Sequence, residues 1–97
     1  MTVTAMNEQW VISRKPSLIA ADVSDETILM DVDTGYFFQL NITASRIWSL
    51  LEAPRSLGDL YERLAELFPS DVDIIRIQAA DFIRDLKDRG LFLVSEA

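Results

Sequence analysis

Asp33-Thr-Gly-Tyr-Phe-Phe-Gln-Leu-Asn41 and the residues that follow it, Ile42-Thr-Ala-Ser-Arg-Ile-Trp-Ser-Leu-Leu51, decide how this chain folds. Asp-Thr-Gly is turn chemistry, because Gly35 tolerates the positive φ that residues with a Cβ resist. The aromatic run from Tyr36 to Leu40 is too short for a helix and rich in strand formers, so it reads as a strand. The hydrophobic period then changes from 2 to 3.6 with almost no linker. Ile42, Ile47, Leu50 and Leu51, with Trp48 beside them, give a helix with a broad apolar face. A hairpin that runs straight into a buried helix sets how a small sheet sits on a helical layer.

Upstream, Leu18–Val23 and Thr27–Val32 read as two strands joined by Ser24–Glu26. With Tyr36–Leu40 they make a three-stranded antiparallel meander. Residues 1–16 are expected as an N-terminal tail, with a short strand at Trp10–Ser13, and 17–97 as a single domain. Downstream, three helices are expected. The first runs from about Thr43 to Glu52 and stops before Pro54. The second opens on Ser56-Leu-Gly-Asp59, a variant of the capping box, and ends at Pro69. The third opens on Ser70-Asp-Val-Asp73 and runs to Arg89, with Gly90 as its C-terminal cap. Leu91–Val94 returns as a short strand or extended tail. The expected class is therefore α+β, winged-helix-like, with a three-stranded meander followed by three α-helices.

At 97 residues the chain has room for one core. It lacks both Cys and His, which removes thiolate chemistry, disulfides, the commonest general base and the commonest transition-metal ligand. Asp31-Val-Asp33-Thr-Gly35 has too few oxygen ligands for a Ca²⁺ loop. The three glycines form no phosphate-binding loop. The expectation is a protein that is not an enzyme and needs no metal or cofactor. Nine basic residues against 16 acidic ones give a net charge of −7, which opposes nucleic-acid binding. No apolar run is long enough to span a membrane, and the N-terminus lacks a secretory signal, so a cytoplasmic location is expected.

Two features stand out against a plain core. On a helical wheel the third helix buries Val72, Ile75, Ala79, Phe82, Ile83 and Leu86, which leaves Ile77 on the polar face and Ile74 on its shoulder. In the third strand, Phe38 and Leu40 point inward and Phe37 outward, on a strand that forms an uncharged aromatic edge. Either feature can be a scattered surface residue or the wall of a peptide groove. An edge covered by Leu91–Val94 or by a second subunit is the alternative.

The joint Gly35-Tyr-Phe-Phe-Gln-Leu-Asn41 with Ile47-Trp-Ser-Leu-Leu51 resembles the PqqD-like family, the recognition elements that bind precursors of ribosomally made, modified peptides. Ser56-Leu-Gly-Asp-Leu60 and Phe82-Ile-Arg-Asp-Leu-Lys-Asp-Arg-Gly-Leu91 are similar to that family's later motifs, so the resemblance covers residues 17–94. It implies a domain that takes the leader segment of a precursor peptide as an antiparallel strand, laid between the third strand and the third helix. It also implies presentation to a leader peptidase, a macrocyclase or another modifying enzyme. Carried over by position, the peptide-binding residues are Tyr36, Phe37, Phe38, Gln39, Leu40, Ile74, Ile77, Asp81 and Arg84. The Asp-x-x-Thr-Gly-Tyr-Phe pattern looks more like the freestanding lasso-peptide type than the pyrroloquinoline quinone partner of radical-SAM chemistry, and a homodimer is compatible with the fold. The rival classes are a self-associating scaffold module and a DNA-binding winged helix. The second is opposed by a third helix carrying Asp71, Asp73, Asp81, Asp85 and Asp88.

Overall fold

The computed structural model describes residues 6–96. Part of the expected tail, residues 1–5, lies outside the described residues. The elements run β1 (Val11–Arg14), β2 (Leu18–Val23), β3 (Glu26–Asp31), β4 (Phe37–Leu40), α1 (Ile42–Leu50), β5 (Arg55–Ser56), α2 (Leu57–Leu67), α3 (Val72–Asp88) and β6 (Phe92–Ser95). This is an α+β fold with three helices and two three-stranded antiparallel sheets, ordered β2-β3-β4 and β5-β1-β6. Likeness to a winged helix is loose.

The expected meander is the first sheet. Leu18 faces Asp31 and Val23 faces Glu26 across β2 and β3, while Met30 faces Phe37 and Thr27 faces Leu40 across β3 and β4. Gly35, at φ 78°, turns the chain between β3 and β4. The turn is pinned from below by Asp31, whose side chain is 2% exposed. Its carboxylate accepts from Lys15 Nζ at 3.0 Å, from Ser17 Oγ at 3.0 Å and from the Asp33 backbone N–H at 3.0 Å. The bond from Lys15 holds the Asp31 carboxyl below the usual carboxylate range against the opposing effect of burial. The same bond to Asp31 raises the Lys15 ammonium, with a smaller contribution from Asp33. Three donors on one buried carboxylate satisfy the rule that buried charge survives only when paired and hydrogen-bonded.

The second sheet has no counterpart in the expected meander. The short strand expected at Trp10–Ser13 is present one residue later, and it is the middle strand of a sheet. It pairs Val11–Arg14 with Phe92–Ser95 on one side and Val11–Ile12 with Arg55–Ser56 on the other. Ile12 is fully buried at its centre. Ahead of β1, the Glu8 carbonyl accepts from the Gly58 N–H at 2.8 Å, and the Trp10 carbonyl from the Leu57 N–H at 2.8 Å. The sequence set apart as a tail is thus stitched to the start of α2. Leu91–Val94 does not cover β4, because Phe92–Ser95 is spent on pairing with β1.

The helices close one core around Leu29, Ile47, Leu57, Leu60, Ala79 and Ile83, all fully buried. Ser56 caps α2 as expected, its hydroxyl accepting from the Asp59 N–H at 3.1 Å. The capping signal before α3 is not realised by a side chain, since Asp71 makes no side-chain cap bond. On α3, Ile75, Ala79, Ile83 and Leu86 are buried, whereas Val72, the first residue of the helix, is 39% exposed. Among the described residues no helix is long and apolar enough to cross a membrane.

Candidate functional site

Asn41 ends β4 and caps α1, its side-chain oxygen accepting from the Ala44 N–H at 2.9 Å. One turn on, the buried Ser45 hydroxyl accepts from the Thr27 N–H at 2.9 Å and donates to the Leu40 carbonyl at 3.2 Å. These bonds lock the start of α1 against β3 and β4. A trough opens between that joint and α3. At one end Phe37, Phe38, Gln39 and Leu40 face Phe82, Asp85 and Leu86. At the other, Asn41, Thr43, Ala44 and Ile47 face Gln78, Asp81 and Phe82. Asn41, Ala44 and Phe82 belong to both halves, so the trough is continuous.

Along the trough from Phe38 towards Thr43, the facing helix positions fall from Leu86 to Gln78, so α3 runs opposite to β4. The Arg89 guanidinium stands 5.8 Å from the Phe38 ring and is held by Asp85 at 2.9 Å, which marks the β4-start end. Phe82 is fixed edge-on against Phe92, with ring centroids 5.7 Å apart. The floor is apolar, and the helix rim carries the carboxylates of Asp81 and Asp85.

Hydrogen-bond parity fixes what β4 offers. The Asp31 N–H donates to the Tyr36 carbonyl at 3.0 Å, so Asp31 and Tyr36 form a bonded pair. In an antiparallel ladder such pairs alternate with non-bonded ones. Leu29–Phe38 is therefore a bonded pair, and at Thr27–Leu40, which has the same parity, the Ser45 hydroxyl stands between the Thr27 N–H and the Leu40 carbonyl. The N–H and C=O groups of Phe37 and Gln39 point away from β3, over the trough. The Val32 N–H bond to the Ser17 carbonyl at 3.1 Å gives the complementary parity on the β2 side, so each residue of β3 serves one neighbour. Among the described residues no strand pairs with the outer side of β4.

Of the residues expected at the site, Phe37, Phe38, Gln39, Leu40 and Asp81 line the trough together. Tyr36 is 69% exposed beside the turn, just before the lining begins. Ile74 and Ile77 are exposed, at 58% and 64%; Ile74 lies one turn ahead of Gln78, and Ile77 one turn ahead of Asp81. Neither contributes to the lining, and neither does Arg84, whose guanidinium sits 3.4 Å from Asp81. Residues outside the expected set complete the walls: Asn41, Thr43, Ala44 and Ile47 from the α1 joint, and Gln78, Phe82, Asp85 and Leu86 from α3. Their sequence signal is the stripe 78, 82, 85, 89 at helical spacing, which borders the core face instead of opposing it.

Among the described residues no cluster of three or more acidic side chains is arranged to hold a metal ion. The trough holds no nucleophile–base pair, so what it offers is a strand edge with two free backbone donors and acceptors, an apolar floor and an acidic rim.

The family described as "Coenzyme PQQ synthesis protein D (PqqD)" matches residues 26–91, about two thirds of the chain. A solved structure, "TbiB1 in Complex with the TbiA(beta) Leader Peptide", superposes with a TM-score of 0.72 at 28% sequence identity, covering 82% of this chain and 93% of that one. A comparison with curated proteins gave no match.

Proposed function

Because the chain belongs to the PqqD family, we propose that it binds the leader segment of a ribosomally made precursor peptide and presents it to the enzymes that mature it. The observation that carries this reading is the unpaired β4 edge, with the Phe37 and Gln39 backbone groups turned over an apolar trough. The similar structure holds a leader peptide, which supports the same class of ligand here.

The peptide adds as an antiparallel strand. Phe37 and Gln39 give it up to four backbone hydrogen bonds, each contributing about 0.5–1.5 kcal/mol net. Two of its side chains, two residues apart, descend beside Phe38 and Leu40 towards Phe82, Ala44 and Leu86, and apolar ones gain about 25 cal/mol per Å² removed from water. A Lys or Arg placed near Asp81 or Asp85 adds about 0–1 kcal/mol, since both carboxylates are exposed. Ile74 and Ile77 meet only a peptide long enough to continue past Asn41, and Arg84 stands on the rim beside Asp81. In this role the protein is a binding module whose partners are a leader peptidase, a macrocyclase or another modifying enzyme, with lasso-peptide maturation as the setting suggested by the Asp-x-x-Thr-Gly-Tyr-Phe pattern.

Titration of ¹⁵N-labelled protein with the precursor's leader tests it. Saturable shifts confined to 36–44 and 78–89 are the expected outcome. Shifts elsewhere, with the Phe37 and Gln39 amides untouched, would sink the strand-addition reading.

A further inference from the structure

Strand addition by itself leaves the register of the peptide open. The Phe37 and Gln39 backbone groups bond whichever peptide residues lie opposite them. A slip of two residues, about 6.8 Å, keeps every bond and every side-chain face. The floor discriminates little, since Phe38, Leu40, Phe82 and Leu86 accept any apolar side chain. Yet a slipped leader carries the segment to be processed out of place, and misplacement by about 1 Å already slows a reaction heavily. Something other than the edge and the floor has to fix the register.

The charges of the trough lie on one wall. The lining from β4 and α1 is uncharged, and α3 supplies Asp81 and Asp85, with Arg89 closing the end beside Phe38. Because α3 runs opposite to β4, a peptide added antiparallel to β4 runs in the direction of α3. It meets Asp81 first, then Asp85, then Arg89. Four residues of helix rise about 6 Å, and two residues of strand about 6.8 Å. Successive inward side chains of the peptide therefore keep step with successive turns of the rim. One stands at Asp81, the next over Phe82, and the third, opposite Phe38, at Arg89.

Both end groups retain capacity for a ligand. Asp81 is 70% exposed and has Arg84 at 3.4 Å. Arg89 is 54% exposed and spends its Nε on Asp85 at 2.9 Å, while its two terminal nitrogens hold no bond among the described residues. Asp85 is neutralised by that contact, so the middle position stays apolar in character. The two ends of the rim differ in sign. A peptide slipped by two residues in either direction takes one charge out of the trough and brings the other to the middle position, so both pairs are lost.

We infer that the α3 rim from Asp81 to Arg89 sets the register of the bound peptide. It takes a leader whose strand carries a Lys or Arg, an apolar residue two positions on, and an Asp or Glu two positions after that. The inference rests on the peptide-binding reading above and makes Asp81 and Arg89 specificity-determining residues.

The test uses the full chain and a synthetic leader of its precursor, titrated by calorimetry against wild type and an Asp81→Lys/Arg89→Glu variant. NMR of the isotope-labelled leader identifies the residues opposite Phe38 and Leu40. A basic residue four positions ahead of an acidic one, the acidic one opposite Phe38, is the expected strand. Reversing the rim should raise Kd about fivefold or more, because two favourable exposed pairs become two unfavourable ones. A leader with its two charges exchanged should regain affinity for the variant and lose it for wild type, and the difference should shrink with added salt. If the reversed variant fails to fold, Asp81→Asn/Arg89→Gln decides, with an expected rise in Kd of about twofold or more. Equal affinity of the wild-type and altered rims for the leader overturns the inference, as does a bound strand without that order of charges or an exchanged leader that gives no rescue. In each of those cases the peptide-binding reading stands. Failure of the wild-type chain to bind the leader at all overturns that reading itself, and this inference with it.

Discussion

The two sheets are the same size and are assembled in opposite ways. In β2-β3-β4 each strand pairs with its neighbour in sequence, through turns at Ser24 and Gly35. In β5-β1-β6 the middle strand joins segments from the middle and the far end of the chain, Val11 facing both Ser56 and Ser95. The second sheet is closed by contacts remote in sequence, with Ile12 fully buried. The first keeps two open edges, an open face and a row of exposed apolar side chains. Remote pairing holds the domain shut, whereas local pairing forms a hairpin that can keep its edge free, since its register is already fixed by its turn. The proposed binding edge lies on the locally built sheet, while the other sheet ties remote segments of the chain together.

That division can be broken by mutation. The largest effect is expected at Ile12→Ala, which should cost about 2–5 kcal/mol and be read as a lower midpoint in chemical denaturation, with the peptide site lost only through unfolding. An equal loss from Ile19→Ala, on the exposed side of β2, would erase the distinction between the sheets. Next come two prolines on β4. Phe38→Pro removes a bond to β3 and should unravel the hairpin. Gln39→Pro removes an outward N–H and an exposed side-chain bond to Glu26 but no backbone bond to β3, so the fold should survive while peptide affinity falls by about 1 kcal/mol or more, roughly fivefold or greater in Kd by titration calorimetry. Matching outcomes for the two prolines would overturn the assigned parity.

Asp31 sharpens the comparison through pH. Its carboxyl lies below the ordinary value of 3.8, so the stability it contributes is fully present above that value and is lost as pH falls through the lowered one. Lys15 is raised above 10.5, and its contribution is present below that value and lost as pH rises through the raised one. Asp31→Asn should therefore lower the melting temperature at neutral pH and remove part of the acid-side decline. The loss of amide protection should concentrate at the β3–β4 turn and spare β1. The smallest effect is expected at Ile77→Asp, within about 0.5 kcal/mol of wild-type stability. It should weaken a peptide that continues past Asn41 and leave a short one spanning Phe37–Leu40 unchanged. If the longer peptide is also unaffected, the binding wall of α3 stops at Gln78.

The same contrast explains what could be read from the residues. The hairpin, the three helices and the inward set of β4 were legible because each is written in a local period or a turn. The buried positions Ile75, Ala79, Ile83 and Leu86 follow from helical spacing alone. The β5-β1-β6 sheet was not legible as a sheet. Arg55–Ser56 has no period to detect, and nothing near Val11 signals that its partner is Ser95. Of the residues carried over from the resemblance, Phe37 to Leu40 and Asp81 line the trough. Asn41, Ala44 and Phe82 were missed because each has a structural role of its own: a cap, a small helix residue, an aromatic assigned wholly to the core. Phe82 is half-buried, and that partial exposure, which periodicity does not encode, makes it the hinge between the two halves of the trough.

Pairing of Val11 with Ser95 has a further consequence for how the domain can be carried. The polypeptide enters and leaves the fold side by side, on strands that supply no residue to the trough. A domain with adjoining entry and exit can be inserted into a loop of a larger enzyme, or have its ends joined and be reopened elsewhere, without rerouting its interior. Reopened between Ser24 and Asp25, the permuted chain should still fold and still present β4.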